Sequence, residues 1–433
     1  MIRILETADR QGRKELLAGL RDRSVVFDSE LLDSVSQIIN EVRRRGDDAL
    51  VEYAARFDAV DLNASELRIT TEQLRQSAEN VSAEVLSALR QAIKNVRIFH
   101  ERQREESWTI VEGDGSKLGQ RITPIESVGL YVPGGTAAYP SSVIMNVVPA
   151  QVAGVPRIVV ATPPATVQSN PAVAAALVEL EVAEVYAVGG AQAIAALAFG
   201  TTTIPNVDKI TGPGNKYVAA AKKLVFGVVG IDSIAGPSEV VIVADESADA
   251  TLVAADLLAQ AEHGEDASAL LLTTSLKLAK SVALELERQL STLPRHAIAA
   301  KSLNTFGAIL LVDNLTEACE IVNELAPEHV ELMTANDETV ANDIKQAGAI
   351  FLGAYSPEAL GDYFAGPNHV LPTGRTARFS SALGVYDFVK RTSIISYSRE
   401  RTIGVAETIG VLADAEGLDG HARSVRIRAQ VNE

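Results

Sequence analysis

Short apolar runs alternate with alanine-rich segments through the middle of the chain, and this alternation limits the possible folds more than any other feature. Between Val128 and Val243, the apolar runs Ile158 to Ala161 and Val185 to Val188 flank segments such as Ala172 to Leu180. Short, almost wholly apolar runs are typical of strands that are buried on both faces. The pattern predicts parallel β-α-β units and therefore an α/β fold.

A second stretch with the same rhythm follows the first. It runs from the strand-like segment Val240 to Ala244 through Ala269 to Thr273, a helix that ends near Gln289 and a strand at Ala308 to Val312. A helix around Cys319 and a strand near Val330 to Met333 complete it. The pattern predicts a second parallel sheet, and it leaves open whether the two stretches are diverged copies of one unit.

The two ends of the chain have a different character. Charged amphipathic helices are predicted from Ser29 to Phe57 and from Ser82 to Arg104, after a short helical segment near Arg13 to Arg21. Beyond about residue 380 the sequence predicts an extended stretch from Val389 to Tyr397 and a helix from Ile403 to Leu412. This tail has too few apolar residues to fold alone, so we expect it to pack on another part of the protein.

Composition excludes several classes of function. With 47% hydrophobic residues among 433, the chain can bury a large core, and its formal charge of -17 opposes binding to nucleic acid or to an anionic membrane. The N-terminus has no secretory signal pattern and no apolar run is long enough to span a bilayer, so we expect a cytoplasmic protein. The single cysteine, Cys319, excludes an intrachain disulfide.

Cys319 is also the only candidate for the thiol nucleophile that many aldehyde-oxidising enzymes use. Its neighbours Ala318, Ile321, Val322 and Leu325 have helical spacing and favour a packing role instead. If the protein oxidises an aldehyde, the sequence therefore predicts water as the oxygen donor.

Four of the six histidines lie in segments rich in glycine, proline or acid: His263, His329, His369 and His421. His263 follows Gln260 by three residues at the end of an apolar helix, so one metal ion could bind both side chains. Taken alone, such a pair is more often two solvated polar residues at a helix end than two metal ligands. We predict that the other two, His100 and His296, lie on the surface.

Two further patterns have both a structural and a functional interpretation. Gly189-Gly190 and Gly212-Pro213-Gly214-Asn215 each follow a predicted strand, as turns that approach a phosphate do, but neither forms a full dinucleotide-binding fingerprint. Glu328 and His329 follow Pro327, which ends a helix, and precede a strand. They could be a helix end with a buried histidine, or a general base beside an acid if the backbone bends there.

Several segments in one order resemble the histidinol dehydrogenases, and the resemblance covers essentially all 433 residues. The matching segments begin with Gly129–Gly135, Val188–Ala193, Thr211–Tyr217 and Ala235–Glu239, and continue with Gln260–Gly264, Pro327–His329, Gly361–Tyr363 and Gly366–Thr373.

The resemblance implies two incomplete Rossmann-like parallel-sheet domains with a helical N-terminal arm and an extended C-terminal tail. The expected parts are an arm at residues 1–25, a helical part of the catalytic domain at 26–112, an NAD-binding domain at 113–237, a second Rossmann-like domain with the zinc and catalytic residues at 238–379, and a dimerisation tail at 380–433.

The resemblance also implies ligands and roles. NAD+ would be bound by Tyr131, Gln192 and Asn215, and one Zn²⁺ per subunit by Gln260, His263, Asp362 and His421. His329 would take the alcohol proton and Glu328 would activate water. The substrate L-histidinol would contact the four metal ligands together with Ser238, His329, His369 and Glu416.

Family members form intertwined homodimers in which the tail reaches the partner's site, so we expect an active site shared between subunits. The expected reaction is oxidation of L-histidinol through L-histidinaldehyde to L-histidine, with two NAD+. A related dehydrogenase for another amino alcohol, a zinc hydrolase and a non-catalytic binding protein are the alternatives. Glu328, His369 and Glu416 argue against the first, the glycine turns against the second and the complete ligand set against the third.

Overall fold

The computed structural model of the chain describes residues 2–22, 27–134 and 139–430. Gly135, which ends one of the matching segments, and the predicted end of the N-terminal arm at residue 25 lie outside the described residues. The chain divides into two compact units. The first unit comprises Met1–Gln103 and Glu126–Phe388, and the second comprises Arg104–Ile125 and Val389–Glu433.

The strands are β1 (Arg3–Leu5), β2 (Arg68–Ile69), β3 (Trp108–Val111), β4 (Lys117–Pro124), β5 (Ser127–Tyr131), β6 (Arg157–Thr162), β7 (Glu184–Ala187), β8 (Lys209–Thr211), β9 (Gly230–Ile231), β10 (Glu239–Ala244), β11 (Ser268–Thr273), β12 (Ala308–Leu311), β13 (His329–Met333), β14 (Ala349–Leu352) and β15 (Val389–Ser396).

The α-helices are α1 (Arg10–Asp22), α2 (Ser29–Arg45), α3 (Asp47–Asp58), α4 (Thr71–Ala78), α5 (Ala83–Glu101), α6 (Pro140–Ala153), α7 (Thr166–Ser169), α8 (Pro171–Glu179), α9 (Gly190–Phe199), α10 (Lys216–Val225), α11 (Ala250–Ala261), α12 (Leu276–Leu290), α13 (His296–Phe306), α14 (Leu315–Leu325), α15 (Asp337–Asp343), α16 (Glu358–Tyr363), α17 (Arg399–Ala415) and α18 (Asp419–Gln430). None of the helices in the described part of the chain is long and apolar enough to cross a membrane.

Two six-stranded sheets form the core of the first unit, which confirms the predicted α/β class with two parallel-sheet domains. One has the order β2-β7-β6-β5-β8-β9 and is parallel except for β2. The other has the order β1-β12-β11-β10-β13-β14 and is wholly parallel. Strands β10 and β11 are buried at every residue, as expected for strands covered on both faces.

The N-terminal segment contains a strand that the sequence analysis missed. Arg3–Leu5 pairs in parallel with β12 before α1 begins. Ion pairs of Arg13 with Glu317 and of Arg21 with Glu324 then join α1 to α14. A strand of three residues at a sheet edge carries little periodic signal, which is why only the helix was expected.

The helix predicted from Ser29 to Phe57 is two helices, α2 and α3, divided at Gly46. The backbone of Gly46 has φ +58°, a conformation that glycine adopts readily, and its N–H donates to the carbonyl of Val42. Gly46 therefore ends α2 and lets the chain turn before α3.

The prediction that His100 lies on the surface is wrong. His100 is fully buried in α5, its Nδ1 lies 2.8 Å from the carbonyl oxygen of Val96, and burial lowers its pKa. Leu89, Ala92 and Val96 are buried on the same helix. The spacing from Val96 to His100 is one helical turn, so the periodic apolar face outweighs the charged residues that follow. His296 is exposed at the start of α13, as predicted.

The second unit contains a three-stranded antiparallel sheet of order β15-β4-β3 and a pair of packed helices, α17 and α18. Strand β15 and helix α17 confirm the predicted extended stretch and helix of the tail. Arg426 of α18 donates to Glu407 at 3.0 and 2.9 Å and to Asp414 at 2.8 Å, which ties the two helices together. Large apolar side chains remain exposed on this unit, including Trp108, Ile395, Val411 and Leu412.

Candidate active site

The centre of the β2–β9 sheet brings together the carboxyl ends of β5 and β8, which pair with each other. Because β6 lies on the other side of β5, the strand order reverses here, and open α/β sheets bind ligands at such a point. The turn after β8 passes very close to β5. A Cβ on Gly212, which has φ +112°, would lie 2.2 Å from the carbonyl oxygen of Tyr131, so only glycine fits.

A buried ion pair fixes this turn. Lys222 of α10 pairs with Asp232, and both side chains are almost fully buried. The Lys222 Nζ donates to the carbonyl oxygen of Gly212 at 3.0 Å, and the Gly212 N–H donates to Asp232 Oδ2 at 2.8 Å. Both polar groups at Gly212 are thereby satisfied, and the turn that leads to Asn215 is held in place.

A cavity of about 440 Å³ opens beside this turn. Its wall combines the glycine turn with Ser238, which precedes β10, and with residues at the start of β13 and in α16. It includes seven of the residues that the sequence analysis singled out: Asn215, Ser238, His263, Glu328, His329, Asp362 and His369. Polar and titratable groups from distant segments thus converge on one cavity, which is typical of a catalytic site.

Two of the expected metal ligands, His263 and Asp362, line this cavity, and a third, Gln260, is in the helix that precedes His263. Gln260 is fully buried in the last turn of α11, His263 follows that helix, and Asp362 lies on α16. His263 Nε2 lies 3.8 Å from Asp362 Oδ2. That separation is too long for a hydrogen bond but close to the roughly 3.4 Å expected between two ligands of a tetrahedral zinc.

Glu358, the first residue of α16, completes this group and was missed by the sequence analysis. Its carboxylate lies with His263 and Asp362 in a set whose ligand atoms are all within 4.8 Å of one another. The oxygen and nitrogen of the Gln260 amide are assigned so that both can form hydrogen bonds. In this orientation the nitrogen donates to the two carboxylate oxygens of Glu358 at 2.9 and 3.1 Å. The available signal was the four-residue spacing of Glu358 and Asp362, which places both on one helix face.

Glu328 and His329 lie together at the start of β13, where the backbone bends. Ala326 adopts the left-handed conformation, with φ +45°, and ends α14. Both side chains then face the cavity, with His329 Nδ1 3.7 Å from Glu328 Oε2. Both adjacent residues therefore line one cavity, as a site that used both would require.

The surroundings of these two residues set their protonation. Burial lowers the pKa of His329 to about 4, so its ring is neutral at pH 7. His329 Nδ1 lies 3.3 Å from the carbonyl oxygen of Glu239, which favours the proton on Nδ1 and leaves Nε2 as the base. Burial, and then the charge of Glu239, raises the pKa of Glu328, whose Oε2 accepts the N–H of Glu239 at 3.1 Å.

Two further acids, Glu331 and Asp256, lie next to the site on the side away from the cavity. Glu331, two residues after His329 in β13, accepts the N–H of Glu358 at 2.7 Å and is buried. Burial, and then the charge of Asp256, raises the pKa of Glu331 to about 9, whereas burial raises that of Asp256 to about 6. Glu331 is therefore protonated at neutral pH, in an environment that disfavours its charged form.

His369 also faces the cavity, and burial lowers its pKa. Its Nε2 is buried and has no hydrogen-bond partner among the residues that the structure describes. A buried ring nitrogen without a partner costs free energy, so it is a natural contact point for a bound polar molecule.

The three residues expected to bind NAD+ lie around the same strand ends, but differ in exposure. Asn215 lines the cavity, and its side chain caps α10 by accepting the N–H groups of Tyr217 and Val218 at 3.0 and 3.2 Å. Tyr131 and Gln192 are each only 3% exposed. The Tyr131 hydroxyl accepts the N–H of Gly190 at 3.0 Å, so it supports the second glycine turn.

Glu416 and His421 belong to the second unit, where Glu416 ends α17 and His421 lies in α18. Both are exposed, and their roles stay predictions. Cys319 is buried in α14 among apolar residues, and burial raises the pKa of its thiol. A protonated thiol packed in the core fits the predicted structural role rather than that of a nucleophile.

Comparison with known proteins shows a similarity to histidinol dehydrogenases over nearly the whole chain. The family model for histidinol dehydrogenase matches residues 21–429. A histidinol dehydrogenase from Geobacillus kaustophilus is 55% identical over 401 residues, which cover 92% of this chain and 94% of that protein. One from Acinetobacter baylyi is 49% identical over 431 residues, with 99% and 100% covered. The crystal structure of histidinol dehydrogenase from Elizabethkingia anophelis matches with a TM-score of 0.92 and 34% identity, over 99% of this chain and 98% of that one.

Proposed function

The chain belongs to the histidinol dehydrogenase family of oxidoreductases, and we propose that it catalyses the zinc-dependent, four-electron oxidation of L-histidinol through L-histidinaldehyde to L-histidine with two NAD+. These are the last steps of histidine biosynthesis. The observation that supports the proposal most strongly is that Glu328 and His329 line the same cavity as His263 and Asp362. A proton acceptor and a set of metal ligands therefore face one bound molecule.

The donor set suits zinc. Gln260, His263 and Asp362 offer an amide oxygen, an imidazole nitrogen and a carboxylate oxygen, which zinc accepts together with the second imidazole of His421. Glu358 holds the amide nitrogen of Gln260, so the amide oxygen is turned away from Glu358. Zinc, when bound, would orient the amino and imidazole nitrogens of the substrate rather than generate hydroxide.

The strand ends of the β2–β9 sheet suit a dinucleotide. The Gly212–Asn215 turn lies where the strand order reverses, and it leads into the N-terminus of α10. We infer that Asn215 contacts NAD+ and that Tyr131 and Gln192 support the cofactor site. NAD+, when bound, would accept a hydride in each oxidation.

His329 is the proposed base for the alcohol. Its ring is neutral at pH 7 because burial lowers its pKa to about 4, and the carbonyl of Glu239 favours a free Nε2. A neutral imidazole can take the hydroxyl proton as the alcohol is oxidised. Glu328 Oε2 lies 3.7 Å from Nδ1, and in its ionised form Glu328 would stabilise the imidazolium that forms.

Glu328 is the proposed base for water in the second oxidation. Burial raises its pKa, which makes its ionised form a stronger base than an exposed glutamate. The buried, protonated thiol of Cys319 leaves water as the oxygen donor. Glu328 would remove a proton from water as the oxygen adds to the aldehyde carbon.

Substrate recognition would involve His369, Ser238 and, from the tail, Glu416. The unpartnered Nε2 of His369 supports a polar contact with the substrate. A carboxylate such as Glu416 would form a charge-assisted hydrogen bond with the ammonium or imidazolium of histidinol.

We propose a homodimer in which the tail of one subunit supplies Glu416 and His421 to the site of the other. Large apolar side chains exposed on the second unit, such as Trp108, Ile395 and Leu412, support this proposal, because a partner subunit that covered them would remove apolar surface from water.

The test is turnover of L-histidinol against amino alcohols of similar size that lack the imidazole, with NAD+ present. We expect NADH from histidinol at a kcat/KM at least 100-fold higher than from the others. A preference for an alcohol without an imidazole would replace the proposed substrate, and absence of NADH from every alcohol would reject the dehydrogenase.

A further inference from the structure

The cavity of about 440 Å³ in the candidate active site is called the catalytic cavity below. A second polar cavity, of about 200 Å³, adjoins it. Ser238, Glu328 and His369 line both. None of His263, Glu358 and Asp362 lines the smaller one. Glu328 therefore lies between a cavity that contains the metal ligands and a cavity that does not.

The smaller cavity is built from buried charged and polar groups. Lys222 and Asp232, the ion pair that fixes the Gly212 turn, form part of its wall, as does Thr373, whose hydroxyl oxygen accepts the N–H of Gly236 at 2.5 Å. A space lined in this way favours ordered water, because dry contact would leave polar atoms without partners. Its volume has room for several water molecules.

The proposed reaction needs one water molecule, and only in its second half. The catalytic cavity would then hold the aldehyde, so a water molecule has to reach Glu328 from another direction. We propose, on the basis of the proposed function, that the smaller cavity stores the water that Glu328 delivers to the aldehyde carbon. We refer to it as the water cavity.

The step balances without a further reactant. The water oxygen bonds to the aldehyde carbon as one water proton passes to Glu328, and Glu328 then returns that proton to the former carbonyl oxygen, which gives the hydrate. The carbon–hydrogen bond of the hydrate then breaks, its electron pair leaves with hydrogen as hydride to NAD+, and a hydroxyl proton is released. The sum is aldehyde plus water plus NAD+ giving acid plus NADH plus a proton.

Substitutions that fill the water cavity test the proposal that it supplies water to Glu328. Ala235 and Ser233 both line it, and neither is a metal-ligand or catalytic candidate, so Ala235→Leu and Ser233→Leu place apolar volume there from two backbone positions. The control is Ala219→Leu. Ala219 lines the neighbouring cavity of about 530 Å³, which Ala235 also borders, but it does not line the water cavity.

We expect the two filled variants to form the first NADH from histidinol within about threefold of the wild-type rate and to oxidise histidinaldehyde at least tenfold more slowly. The aldehyde should then accumulate and be captured by semicarbazide. Ala219→Leu should keep the wild-type ratio of the two steps. High-resolution crystal structures should show ordered water within hydrogen-bond distance of Glu328 in the wild type, displaced by the leucine in the variants.

Two results would overturn the proposal. One is a crystal structure in which leucine fills the water cavity while aldehyde oxidation keeps its wild-type rate. The other is an equal loss of both steps in both variants, which would show that the cavity shapes the site rather than supplying water. A wild-type enzyme that forms no NADH from histidinol would instead reject the proposed function, so the two failures are distinguishable.

Discussion

The side-chain amide of Gln260 donates to both carboxylate oxygens of Glu358, at 2.9 and 3.1 Å. The amide oxygen of Gln260 is thereby turned away from Glu358, and Gln260 itself is fully buried. A neutral amide is a weak metal ligand, so its orientation matters more than that of a charged ligand. Glu358 therefore acts as a positioning residue for the proposed zinc site.

Glu358→Gln should weaken zinc binding roughly 10- to 100-fold, because the amide of Gln260 loses its fixed partner. Competition with a chromophoric chelator measures the affinity directly. Glu262→Gln is the matched control, since Glu262 lies between Gln260 and His263 in sequence but outside the cluster of ligand atoms. Equal zinc affinity in the two variants would show that Glu358 does not position Gln260.

Glu328→Gln and His329→Asn should separate the two oxidations. We expect His329→Asn to slow alcohol oxidation by about 10² to 10⁴, and Glu328→Gln to slow chiefly the aldehyde step, since only that step needs an activated water. Rates measured separately with histidinol and with histidinaldehyde decide this. If each variant lost the same factor on both substrates, the division of roles would be wrong.

The raised pKa of Glu331 predicts that the stability of the folded protein depends on pH. Burial raises its pKa to about 9, above the roughly 4.3 of an unfolded glutamate, so the folded chain holds a proton that the unfolded chain has released. This contribution to stability is complete below about pH 4.3 and is lost as the pH rises towards 9, by up to about 1.4 kcal/mol per pH unit.

Glu331→Gln keeps the shape of the side chain and removes its ionisable group. As the pH rises from 5.5 to 8, the free energy of unfolding of this variant should therefore fall less steeply than that of the wild type. Urea unfolding at a series of pH values measures the slope. Glu320→Gln, exposed on α14, should follow the wild-type slope. A Glu331→Gln slope identical to that of the wild type would mean that Glu331 is ionised in the folded protein.

The sheet strands and several residues of the cavity wall could be predicted from the sequence, for different reasons. Strands such as β10 and β11 are apolar at almost every position because both faces are covered, and this pattern is visible in one dimension. His263, Glu328, His329 and Asp362 were found through the family resemblance, and the structure shows that they face one cavity.

The acids behind the cavity could not be predicted in this way. Glutamate side chains usually lie exposed at the protein surface, so the sequence gives no sign that Glu331 and Glu358 are buried. They are buried together because α16 packs beside β13, where the Glu358 N–H donates to Glu331 at 2.7 Å. His100 was wrongly predicted for a related reason, since its charged sequence neighbours come at and after the end of α5, whereas His100 continues the buried face of that helix. A single sequence does not show which of its polar residues the fold brings together.

The shared site predicts complementation between inactive subunits. His263→Ala and His421→Ala protomers should each be inactive, whereas random mixing in equal amounts with subunit exchange should recover about a quarter of the wild-type activity, because half of the dimers have one intact site. Exchange is verified with differently tagged protomers. No recovery despite exchange would place His421 in the site of its own subunit, or in none.

The number of NADH molecules formed for each L-histidinol consumed, with and without a metal chelator, tests the central claim most directly. We predict two NADH per histidinol with L-histidine as the product, no NADH after complete removal of metal, and a return to two when zinc is added back. A ratio of one with histidinaldehyde as the end product, or full turnover in a verified metal-free preparation, would contradict the account.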